Sequence, residues 1–85
     1  MREFNYTIKD EVGIHARPAG MLAKKTKLFE SEITITKNGR TVDASKLIAV
    51  MGLGVKYGDS VTVSANGADE DEAIKEMEKF FAENL

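Results

Sequence analysis

The sequence predicts an α+β fold in the order βαββαβα, one sheet with three helices on one face. Two observations lead to it. Three short stretches alternate apolar and polar residues with the period of a strand, a hairpin turn adds a fourth strand, and three further stretches carry apolar residues at helical spacing. Each helix has one apolar side, so all three need a common surface to cover, which a single sheet supplies.

Phe4, Tyr6 and Ile8 alternate with Asn5, Thr7 and Lys9 and predict the first strand. After the turn-prone segment Lys9 to Gly13, a first helix is expected to begin near His15. Ala19, Leu22, Ala23, Thr26 and Phe29 form its apolar stripe beneath Arg17, Lys24 and Lys27. Ile33 and Ile35 alternate with Thr34 and Thr36, then Asn38-Gly39 supplies a tight hairpin turn and Arg40 to Asp43 returns. Ser45 is expected to cap a short second helix through Met51, ended by Gly52 and Gly54. Leu47, Ile48, Val50 and Met51 wrap more than one stripe of that helix, so some of them are expected to stay exposed for a partner. Val61, Val63 and Ala65 predict the fourth strand, between Gly58-Asp59 and Asn66-Gly67. Asp69 is expected to cap the last helix, whose first turn holds Glu70, Asp71 and Glu72. Its buried stripe is Ala73, Ile74, Met77, Phe80 and Phe81, with Asp71 and Lys75 as an i,i+4 pair.

The chain has 85 residues, which fit one small domain spanning 1–85. Apolar residues at 42% and charged residues at 31% exclude a disordered chain. With no cysteine there is no disulfide framework and no thiolate metal site, and with one histidine no all-histidine zinc site, so no metal and no cofactor are expected. No apolar run approaches the roughly 20 residues that span a bilayer. Twelve basic against fourteen acidic residues give a net charge of −2, unlike a protein that binds nucleic acid. A cytoplasmic monomer is expected.

The informative segment is Gly13-Ile14-His15-Ala16-Arg17-Pro18-Ala19, which places the only histidine at a helix opening. There the first amides have no intrahelical acceptor and the helix dipole is positive, so an anion is favoured. The backbone at Ala16 and Arg17 is the expected cradle. Pro18 falls in the first turn, where its missing N–H costs nothing and its ring stiffens the entry. Proline disfavours helical geometry in the preceding residue, so Arg17 is expected outside ideal helical geometry, with its side chain turned toward the imidazole. A guanidinium offers two oxygens of a phosphoryl group a planar fork of donors. Imidazole, with an ordinary pKa of about 6.5, is a nucleophile near neutrality, and a nitrogen-bound phosphoryl group is reactive enough to be passed on. His15, Arg17 and Pro18 thus suit a phosphoryl relay. A hydrolase using His15 as base lacks an evident triad partner.

The same segment resembles the active-site signature of the HPr family, the histidine-containing phosphocarriers of the bacterial sugar phosphotransferase system. The likeness continues through Ser31-Glu32-Ile33, Asn38-Gly39-Arg40, Val50 to Gly54 and Ser64 to Glu70. It implies an open-faced β-sandwich, a four-stranded antiparallel sheet with three helices on one face. It also implies that Enzyme I, charged by phosphoenolpyruvate, phosphorylates His15 at Nδ1, and that His15 donates to IIA domains of sugar permeases. In that picture Gly20, Lys24, Leu47, Ile48 and Met51 match the partner surface. Members from low-GC Gram-positive bacteria carry a regulatory serine at the start of helix two, read by an HPr kinase and a transcriptional regulator. Here that position is Lys46 and the serine is Ser45, one residue earlier. The alternative reading is an HPr-like regulatory module that binds through helix two.

Overall fold

The structure, a computed structural model, describes residues 1–85. Its elements are β1 (Arg2–Thr7), α1 (Ala16–Thr26), β2 (Glu32–Lys37), β3 (Arg40–Asp43), α2 (Leu47–Gly52), β4 (Ser60–Asn66) and α3 (Glu70–Asn84). The four strands form one antiparallel sheet in the order β1-β4-β2-β3. Asn38 and Gly39 close the β2–β3 hairpin with φ of +50° and +80°, as the dipeptide predicts.

Register follows the apolar alternation. Phe4 pairs with Val63, Tyr6 with Val61, and Ile35 with both Val63 and Val42, which puts one apolar face under the helices. Ile33, Ile35, Val61, Val63 and Ala65 are buried there. The other face is lined by paired polar groups, Thr34 with Ser64 at 2.6 Å and Thr36 with Thr41 at 2.7 Å among them. From α3, Ala73, Ile74, Met77, Phe80 and Phe81 are buried, the stripe its spacing predicts. Phe81 meets Phe4, Tyr6 and Phe80 edge to face, with ring centroids 5.8, 5.5 and 6.0 Å apart. No helix is long and apolar enough to cross a membrane.

Four local expectations give way to other partners. Helix α1 stops at Thr26, whose hydroxyl donates to the Ala23 carbonyl at 2.8 Å, so Phe29 packs half-buried beyond the helix. Ser45 does not cap α2. Lys46 occupies the N-cap position, because Asp43 Oδ1 takes both the Ser45 hydroxyl, at 2.6 Å, and the Ser45 amide, at 2.8 Å. Asp69 holds the N-cap position of α3 without capping it, its carboxylate turned instead to Glu30 and Ser31. Asp71 accepts from Arg2 Nε at 2.6 Å across the chain rather than pairing with Lys75, a bond that spacing along one helix could not reveal.

Candidate functional site

His15 is the N-cap residue of α1, with φ of −111° and ψ of −173°, and its side chain makes no capping hydrogen bond. Its carbonyl accepts the Ala19 amide at 3.0 Å, which starts the helix. The helix can begin there because Pro18, in the first turn, has no amide to leave unsatisfied. The amides of Ala16 and Arg17 precede the first residue that can reach an intrahelical acceptor, so no bond within α1 engages them.

Arg17 departs from expectation. It lies inside α1, in helical geometry, despite preceding Pro18. The disfavour that proline imposes on its neighbour is a tendency, and here the buried Pro18 and the Ala19 bond outweigh it. Its side chain still lines one open cleft with His15, Pro18, Met21, Asp10 and Asn84, of about 220 Å³. The expected trio of His15, Arg17 and Pro18 is therefore brought together.

Asp10, Met21 and Asn84 line the cleft without having been singled out by the sequence; Met21 does so because it follows Arg17 by one turn of the same helix. Asp10 Oδ1 accepts from the Val12 amide at 2.8 Å and the Gly13 amide at 3.2 Å, a turn built on a side-chain acceptor. That turn leads the chain into Gly13, whose φ of +84° places its Cα against the backbone of Val55 and Lys56. Ile14 follows, buried, and donates to the Val55 carbonyl at 3.1 Å. The approach to His15 is thus held by the Asp10 carboxylate on one side and by the Val55–Lys56 backbone on the other. Asp10 could have been suspected from its place in a turn. Asn84 carries no local signal, since α3 brings it to the cleft from the far end of the chain.

The other predicted positions fall on α1 and α2, which pack together. Gly20 is half-buried and Lys24 exposed on α1. On α2, Val50 is the buried residue while Ile48 is 78% exposed, Leu47 37% and Met51 39%. Met21, at 40%, adds a fourth exposed apolar side chain, one turn along α1 from Arg17. Helix α1 contains no acidic residue, and Arg17, Lys24 and Lys25 are its charges. Ser45 lies at the far end of α2 from Met51, its hydroxyl committed to Asp43, and that bond is the main cause holding the Asp43 carboxyl below its usual range.

Fold and cleft together define a small open-faced α+β protein that presents one histidine at a helix opening. A sequence model described as the PTS HPr component phosphorylation site matches residues 2–83. The chain belongs to the HPr family of phosphocarriers of the phosphotransferase system. The phosphocarrier protein HPr of Mycoplasma genitalium is 39% identical over 85 residues, covering 99% of this chain and 97% of that one. The solved histidine-containing phosphocarrier protein of Mycoplasma superposes with a TM-score of 0.93 at 36% identity, covering 96% of this chain and 93% of that one. HPr-C-His from Thermoanaerobacter tengcongensis gives 0.88 at 39% identity, with both chains covered in full.

Proposed function

We propose that this chain takes a phosphoryl group from Enzyme I onto Nδ1 of His15 and gives it to IIA domains of sugar permeases, as a monomer in the cytoplasm. The observation that carries this reading is the place of His15, one residue before α1, where no bond within the helix engages the amides of Ala16 and Arg17, with Arg17 and Pro18 lining the same cleft as the imidazole. As the bond between phosphorus and the donor breaks, a bond to the imidazole nitrogen forms. The next acceptor reverses the step, so the group moves with no net hydrolysis. The amides offset its negative charge without moving, because the helix start and Pro18 hold them in place beforehand, and the exposed Arg17 guanidinium swings onto its oxygens. Attack needs room for an incoming partner, and the cleft is open to solvent at the surface of α1.

Partners dock on α1 and α2 in this reading. Leu47, Ile48 and Met51 supply an apolar centre, with Met21 beside it and Gly20 leaving space on α1. Arg17 and Lys24 give the rim a positive charge that favours acidic partners and speeds encounter. A switch at Ser45 through an HPr kinase gains little support, since the hydroxyl is already engaged by Asp43.

The test is to mix the protein with Enzyme I and labelled phosphoenolpyruvate. Acid-labile label is expected on the wild type and absent from His15→Ala; label that persists in that variant contradicts the reading.

A further inference from the structure

Lys37, at the end of β2, reads in sequence as an ordinary hairpin lysine, yet its side chain is only 17% exposed. Its aliphatic stem is largely covered, and the ammonium at its end is met by close partners. It has two, the Gly54 carbonyl at 2.9 Å and Asp59 Oδ2 at 2.9 Å. The same carboxylate oxygen accepts the Lys56 amide at 2.9 Å. One side chain therefore grips both ends of the loop that joins α2 to β4.

The middle of that loop is the wall behind the site. Val55 accepts the Ile14 amide at 3.1 Å, and Gly13 packs on Val55 and Lys56 with no space for a Cβ. The far end is tied to the exit of β1, with Gly58 donating to the Ile8 carbonyl and Ile8 to the Asp59 carbonyl, both at 2.9 Å. The stretch that delivers His15 thus leans on a loop whose ends Lys37 holds.

Resting on the phosphocarrier reading, we propose that Lys37 is a positioning residue of the transfer site: by bridging Gly54 and Asp59 it seats the α2–β4 loop against Gly13 and Ile14, and so sets how His15 enters α1. It touches no phosphoryl group itself.

The experiment compares wild type, Lys37→Met, which keeps the aliphatic stem, and Lys37→Arg, which restores charge and donors. Asp71→Asn, which removes the distant pair with Arg2, serves as control. Phosphoryl uptake from Enzyme I is measured against carrier concentration, and ¹H–¹⁵N spectra report the Ile14 and Gly54 amides and the His15 ring. Misplacing reacting groups by an ångström costs up to ~10²-fold, so a loosened loop is expected to lower the maximal rate of Lys37→Met about tenfold while KM moves less than about twofold. Arginine is expected to restore most of the rate, and the Ile14, Gly54 and His15 signals to shift in Lys37→Met alone. A wild-type rate with unmoved signals, a loss confined to KM, or a loss that arginine leaves untouched overturns the proposal. Should Lys37→Met fail to fold, Asp59→Asn carries the same expectations with a smaller loss. If the wild type itself accepts no phosphoryl group, the phosphocarrier reading falls, and the Ile14 and His15 signals alone decide whether Lys37 seats the loop.

Discussion

The Ser31 hydroxyl donates to Asp69 Oδ1 at 2.5 Å, and the Ser31 amide reaches the same oxygen at 2.9 Å. With Glu30 donating to Oδ2 at 2.8 Å, one carboxylate at the start of α3 holds the loop between α1 and β2. Gly67 lies beneath that loop, so close to Ser31 that a Cβ would collide with its backbone.

The pH dependence of stability follows. The Ser31 hydroxyl and the Glu30 amide hold the Asp69 carboxyl below the usual carboxylate range, Ser45 does the same for Asp43, and Lys37 for Asp59. Each pKa is lower folded than unfolded, so the folded chain binds fewer protons and stability rises with pH up to the unfolded value. Urea unfolding is expected to show a plateau above about pH 5 and a progressive loss as pH falls below ~4 through the depressed values. In Asp69→Asn the plateau drops and the acid slope becomes shallower.

Gly13→Ala is expected to destabilise the protein by about 2–3 kcal/mol, because alanine must either adopt a positive φ or push Val55 and Lys56 away. Urea midpoints measure the loss. Phosphoryl uptake is expected to fall even where the variant is fully folded, since Ile14 and His15 move with that loop.

Phe81→Ala removes the ring on which Phe4, Tyr6 and Phe80 converge, at a fully buried position. A cost of about 3–5 kcal/mol is expected. Against a total of roughly 5–15 kcal/mol, that leaves a marginal fold, visible as a large drop in melting temperature.

Ile48→Asp separates docking from folding. Ile48 is 78% exposed, so its stability is expected to stay within about 0.5 kcal/mol of wild type. If α2 forms the docking centre, KM for Enzyme I rises about fivefold or more. Arg17→Ala is expected to act differently, lowering the maximal rate about tenfold or more by removing donors from the phosphoryl oxygens.

Period-2 alternation places β1, β2 and β4, the Asn38-Gly39 turn places β3 after β2, and the α3 stripe is legible residue by residue, because burial against one sheet imposes those patterns directly. Asn38-Gly39 identifies its turn since only residues tolerant of positive φ fit there. What was illegible depends on pairs distant in sequence. Asp69 looks like a cap until Ser31 competes for it, and Asp71 like a partner for Lys75 until β1 brings Arg2 alongside. At the site, His15 and Arg17 were readable because a helix start announces itself locally. Asp10 and Asn84 reach the cleft through folding alone.

In the phosphocarrier reading the His15 ring is the phosphoryl acceptor, and ¹⁵N NMR of imidazole-labelled protein during turnover with Enzyme I and phosphoenolpyruvate observes that ring itself. Coupling to phosphorus is expected on Nδ1 of His15, decaying when an acceptor IIA domain is added. Phosphorus found on Ser45 or nowhere on the chain, with the ring spectrum unchanged, would contradict it.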